Sequence, residues 1–128
     1  MVSYSNRLTT YIWSNRAADP TKATVLEDSA PLFHHYWSGD RRENWYLDML
    51  AVHPSHQGKG HGRALVQWGL DEAVKEGVCA SVIAAHGRDR FYGRCGYVEV
   101  GRANVGPLAE NGIKGGAIMF TDVGSKAE

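Results

Sequence analysis

The sequence predicts an α/β fold, of the α+β kind in which strands and helices alternate within one domain. Three observations carry that reading. Trp45 to Val52 (WYLDMLAV) is an apolar, aromatic-rich run that reads as a strand. It leads through the glycine-rich turn HPSHQGKGHG into apolar residues at helical spacing, Val66, Leu70, Ala73 and Val74. Gly77 then stops that helix, and Val78 to Ala85 (VCASVIAA) is short, apolar and partly β-branched, as a strand covered on both faces should be.

The remaining elements follow in chain order. Tyr4, Leu8, Tyr11 and Ile12 fall at helical spacing, and Pro20 separates them from a second apolar-periodic segment with Val25, Leu26 and Ala30. Phe33, Tyr36 and Trp37 come next, as core or as the wall of a pocket, and then the polar loop Ser38 to Asn44. The first 44 residues therefore read as two short helices with little strand. The helix Gly60 to Glu76 carries Gln67, Asp71 and Lys75 on its polar face, with Asp71 and Lys75 spaced as an acid-before-base pair. A short helix, about Arg88 to Cys95, is closed by Gly96 and followed by a strand at Tyr97 to Val100. Gly106 to Gly116 is a long glycine-spotted connection, either a lid or a surface loop, before the strand Ala117 to Val123.

Length and composition bound the function. With 128 residues the chain is one domain, in which 1–44, 45–101 and 102–128 form a divergent helical start, a central unit and a closing loop and strand. Fourteen basic residues balance fourteen acidic ones, so no general field favours nucleic acid or an anionic membrane. No apolar run reaches the ~18 residues of a membrane helix, and Met1 to Arg16 is too polar for a signal peptide. Cys79 and Cys95 read as reduced thiols, and the expected compartment is the cytoplasm. The histidines His34, His35, His53 and His56 lack the spacing of a zinc motif, so no metal is expected.

The chemistry centres on the turn. Gly58, Gly60 and Gly62 let the backbone present successive N–H groups at close range, at the start of a helix whose dipole favours an anion. Lys59, His61 and Arg63 add positive charge or donors, which points to a pyrophosphate site. A P-loop would need a Lys followed by Ser or Thr in the turn, and none is there. A dinucleotide fingerprint would need G-x-G-x-x-G and an acidic residue at the end of the next strand, and both are missing. What fits is Q-x-x-G-x-G, as Gln57, Gly60 and Gly62 after Val52-His53-Pro54. This resembles the acyl-CoA-binding motif of the GNAT superfamily of N-acetyltransferases. The segment RFYGRCGYVEVG resembles the Tyr-containing helix and strand of the same family, and WYLDMLAVHP with Trp68-Gly69 is most similar to its fungal-type members.

The resemblance implies a mixed, mostly antiparallel sheet with helices on both faces, and acetyl-CoA as co-substrate without a metal. The backbone of Leu50, Ala51 and Val52 would splay from its neighbour and bond the pantetheine arm, while Gln57, Gly58, Lys59, Gly60, His61, Gly62 and Arg63 hold the pyrophosphate. Tyr92 matches the tyrosine that protonates the departing thiolate, a role suited to a phenol at neutral pH, although it could equally be core with its hydroxyl satisfied. Tyr46 and Asp48 share one face of the strand, and Asp48 is the first candidate for the base, against a structural carboxylate. The acceptor would be a primary amine of a small molecule or peptide, with Asp40, Glu43 and Asp48 lending some preference for a cation.

Complete members place a strand, two helices and two more strands before the element that matches Trp45 to Val52, and only 44 residues precede it here. The first strands are therefore expected to be missing, with an open edge completed by a second copy of the chain in a homodimer. Two other functions remain open: a non-catalytic domain acting through a dimer or partner, and acid–base chemistry on a small molecule without CoA.

Overall fold

The structure is a computed structural model and describes residues 17–122. Four strands form one sheet: β1 (Asn44–Leu47), β2 (Cys79–Ala85), β3 (Val98–Arg102) and β4 (Gly115–Phe120), in the order β1-β2-β4-β3. β1 runs parallel to β2, and the other two pairings are antiparallel. Four helices accompany it: α1 (Val25–Phe33), α2 (His61–Glu76), α3 (Asp89–Arg94) and the single turn α4 (Pro107–Glu110). The mixed sheet with helices on both faces is the architecture expected from the sequence.

The two-residue period of the strands sorts the core into two layers. Ala80, Val82 and Ala84 of β2 and Ala117 and Met119 of β4 face α2 and α3, where Val66, Ala73, Tyr92 and Tyr97 cover them. Small side chains on the sheet let the helices approach closely. On the other face Cys79, Ile118 and Phe120 pack with Phe33, Trp37 and Leu108 from the α1 and α4 side. This second layer holds a polar thread. The Trp37 indole Nε1 donates to Ser81 Oγ at 3.0 Å, Ser81 donates to Asn44 Oδ1 at 2.5 Å, and Asn44 Nδ2 donates to the Arg41 carbonyl at 3.2 Å. It fastens the segment after α1 to both parallel strands through a fully buried serine.

Several elements differ from expectation. β1 ends at Leu47 rather than Val52, because the chain leaves β2 there and its backbone has no ladder to join. The glycine-spotted connection is neither a free lid nor an open loop: it contains α4, whose Leu108 N–H donates to the buried Ser29 Oγ at 3.2 Å and so docks onto α1. The last strand starts at Gly115, earlier than Ala117, and Val123 lies outside the described residues. The helix expected around Tyr4 to Ile12 also lies outside them. Lys75 pairs with Glu72 at 2.5 Å, while Asp71 accepts from Gln67 Nε2 at 2.9 Å. Three glycines sit at close approaches where a Cβ would collide: Gly101 under the Tyr36 ring, Gly106 against Leu32 and Gly115 against the His86 backbone.

Replacing Ser81 by Ala should destabilise the protein by about 1–3 kcal/mol, since the Trp37 N–H and Asn44 carbonyl oxygen lose their partner. The denaturant midpoint checks this. A second expectation concerns pH. Burial, with Cys95 and Tyr92 beside it, pushes the Tyr97 phenol up to about 12, against about 10 for an ordinary tyrosine. The folded chain keeps a proton that the unfolded chain gives up, so this contribution is complete below the unfolded value and falls away as pH rises from about 10 toward 12. Tyr97→Phe should lose less stability than the wild type across that window.

Candidate functional site

The site begins where β1 departs from β2. Their parallel register runs from Asn44 opposite Cys79 to Leu47 opposite Val82 and stops there, whereas β2 continues to Ala85 against β4. Ile83 and Ala84 thus have a strand on one side only. Across the gap, the backbone of Met49, Leu50 and Ala51 makes no hydrogen bond among the described residues, and Val52 makes one, accepting from Gln57 Nε2 at 2.9 Å. Unpaired peptide groups on both sides of a wedge suit an extended ligand that carries amides of its own.

Gln57 thereby folds the following turn back on the strand. His53 caps the turn Pro54–His56, its Nδ1 accepting from the Ser55 N–H at 3.2 Å. Gly58 and Gly60 then take φ values of 74° and 83°, in the left-handed region open mainly to glycine. Gly60 caps α2 without a side-chain acceptor. Among the described residues, no hydrogen bond satisfies the N–H of any residue from Gly58 to Arg63. These donors converge at the positive end of a sixteen-residue helix. Lys59, His61 and Arg63 are exposed around them, and Lys59 and Arg63 enter no ion pair among the described residues. The His53, His56 and His61 rings follow one another at 5.9 and 6.4 Å between centroids. Such a cradle binds a phosphate or pyrophosphate with main-chain donors and loosely placed cations.

Two cavities flank β1. One, of about 430 Å³, lies on the α2 side between the stretch Trp45 to Ala51 and Leu65, Trp68 and Tyr97. The other, of about 540 Å³, lies on the α1 side under Phe33, Trp37 and Ile83. Tyr46 borders both, and Asp48 borders the first. Tyr46 and Asp48 are brought together: burial raises the Tyr46 phenol above its ordinary value, and the Asp48 charge adds to that. Tyr92 lines neither cavity. It is buried in the α2-side core, edge-on to Phe91 and Tyr97, and its ring neighbour Phe91 reaches the start of α2. Burial raises its phenol too, with a further push from Cys95 and a smaller opposing effect of Arg88. Its hydroxyl makes no hydrogen bond among the described residues. Among those residues no side-chain oxygen sealed from solvent lacks a partner, so that hydroxyl is within reach of solvent.

Sequence reasoning overlooked Glu27 on the wall of the α1-side cavity and weighed His34 there only as a metal ligand. The signal was there: with Ala30 they recur at the spacing of one helix face, beside the aromatic pair Phe33 and Trp37. Among the described residues no group of three His, Cys, Asp or Glu side chains could hold a metal ion, and no helix is long and apolar enough to cross a membrane.

Residues 26–97 match the acetyltransferase (GNAT) family, a span that runs from α1 through the cradle and α3. A protein described as an acetyltransferase from the fungus Stachybotrys chartarum is 34% identical over 58 residues, covering 45% of this chain and 25% of its own length. The chain thus spans about a quarter of the curated relative it matches. With more than half of its residues inside the family match, the chain belongs to the GNAT family.

Two glycines of the cradle should respond oppositely to alanine. A Cβ at Gly62 would meet Phe91 Cζ at 3.7 Å and Val52 Cγ2 at 3.8 Å, ordinary contacts in a helical residue. Gly62→Ala should therefore be neutral or stabilising by up to about 1 kcal/mol. Gly60→Ala forces a side chain into the left-handed region and should cost about 1–2 kcal/mol. Urea denaturation of the two variants tests the contrast.

Proposed function

We propose that the protein is an acetyl-CoA-dependent N-acetyltransferase that acts on a primary amine of a small molecule or peptide. The observation that carries the reading is the row of unsatisfied N–H groups from Gly58 to Arg63 at the start of α2. They would take the pyrophosphate, aided by Lys59, His61 and Arg63. The unpaired backbone of Leu50, Ala51 and Val52 would take the pantetheine arm in the wedge between β1 and β2. In the reaction the amine nitrogen attacks the thioester carbonyl carbon, a tetrahedral intermediate forms, and the C–S bond breaks. Positioning of the two reactants and N–H donors near Val52 would lower the barrier. Tyr92 gives its proton to the departing thiolate. The acceptor ammonium gives up a proton to Asp48, directly or through water, before or as its nitrogen attacks, with Tyr46 between Asp48 and the α1-side cavity. Free Cys79 and Cys95 suit a reducing compartment such as the cytoplasm.

A second reading concerns assembly. Among the described residues the outer edge of β1 is unpaired, and Met49, Trp68 and Leu65 stand exposed near it by 83%, 60% and 52%. A second copy of the chain joined at this edge would cover the strand and these side chains together. A monomeric mass at micromolar concentration would remove this reading.

Calorimetric titration with acetyl-CoA should give micromolar binding that disappears in Gly60→Glu, whose side chain adds a negative charge at the cradle. No binding by the folded wild type would overturn the coenzyme reading. Tyr92→Phe should lower kcat by about 100-fold with little change in acetyl-CoA affinity. Because burial raises the Tyr92 phenol, the decline in wild-type rate that comes with loss of this acid should begin only above the range of an ordinary tyrosine.

A further inference from the structure

The α1-side cavity has a chemical character that the general reaction does not require. Its walls are aromatic and aliphatic, with Phe33 and Trp37 edge-on at 6.5 Å, Trp37 and Tyr46 edge-on at 6.3 Å, and Ile83 at the floor. Most of its polar groups are already engaged. The Trp37 Nε1 donates to Ser81, and Asn44 is held at both ends of its amide by Ser81 and Arg41. Among the described residues, Glu27 forms no ion pair and its side chain no hydrogen bond, and the same holds for the His34 side chain apart from ring contact with Phe33. Among the described residues Glu27 is the cavity's single carboxylate, since Asp48 borders the other one. The cavity also opens where β1 leaves β2: Ile83 is the first residue of β2 beyond the paired segment, and Tyr46 borders both cavities.

We propose that this cavity is the acceptor site, and that it selects amines with a flat apolar body whose ammonium group is first held by the Glu27 carboxylate, from which the nitrogen passes to the wedge as it loses its proton toward Asp48. The proposal rests on the N-acetyltransferase reading for the reaction itself, but its selectivity comes from the cavity alone. Its volume, about 540 Å³, suits a ligand of one or two rings. Edge-on aromatic walls favour a planar body, and the aromatic faces add attraction for a cation. A short aliphatic amine would satisfy Glu27 and leave the apolar walls uncovered. A polyamine would bring several charges to a wall with one carboxylate.

The test is calorimetric titration of the full chain with 2-phenylethylamine and with ethylamine, each with and without saturating CoA. 2-Phenylethylamine should bind at least tenfold more tightly than ethylamine, and Glu27→Gln should weaken it tenfold or more while Glu27→Asp recovers part of the loss. Glu27 is exposed on the first turn of α1, so the variants should fold, which thermal melts verify. Equal affinity for the two amines, unchanged affinity in Glu27→Gln, or no amine binding in either condition would overturn the proposal. Acetyl-CoA titrated into the same preparations keeps the two readings apart. Binding of acetyl-CoA without Glu27-dependent binding of the amine removes this inference alone. Glu27-dependent binding of the amine without acetyl-CoA binding supports the selectivity of the cavity and removes the coenzyme reading.

Discussion

The parallel pairing of β1 with β2 stops at Leu47, and the layout of the site depends on that stop. Had the ladder continued to Val52, the backbone from Met49 to Ala51 would be consumed in the sheet and the wedge beside Ile83 would be closed. The pairing instead gives way to a single side-chain bond from Gln57 to the Val52 carbonyl. That bond sets the direction in which the chain enters the glycine turn, and therefore where the first N–H groups of α2 point. Cradle and wedge are consequences of one short strand.

The two faces of the sheet divide the labour. The α2 face is built from small residues on the strands, and it holds Tyr92 and Tyr97 with raised phenol pKa values. The α1 face tolerates polar atoms, because the Trp37, Ser81 and Asn44 thread satisfies them internally. Tyr46 stands at the edge of both cavities.

Much of this arrangement was legible from residue order. Helix α2 was delimited by its apolar spacing and by Gly77, which takes the left-handed conformation and closes the helix onto Ala73 and Val74. The turn was legible because Gly58 and Gly60 stand between a strand and a helix, where a tight turn asks for the left-handed backbone that both adopt. The end of β1 was not legible: Asp48 to Val52 keeps the composition of a strand, and only the tertiary divergence from β2 ends the pairing. Nor was α4, where Gly106 and Pro107 read as a loop until the buried Ser29 hydroxyl is seen to receive Leu108. Glu27 and His34 carried a helical periodicity but no motif, and a lone acid on a short helix is ordinarily surface. What sequence lacked in each case was the long-range partner, not the local preference.

Tyr36 rests on bare backbone at Gly101, and it belongs to the same helical turn as His34. His34, on the wall of the α1-side cavity, thus shares a turn with a ring that leans on a position of β3 outside that wall. A side chain there would lift the tyrosine like a shim under one end of a plank and tilt His34 and the turn that carries it. Variation at residue 101 is thus a way for closely related chains to resize one chamber of the protein while leaving the cradle and the floor of the wedge as they are.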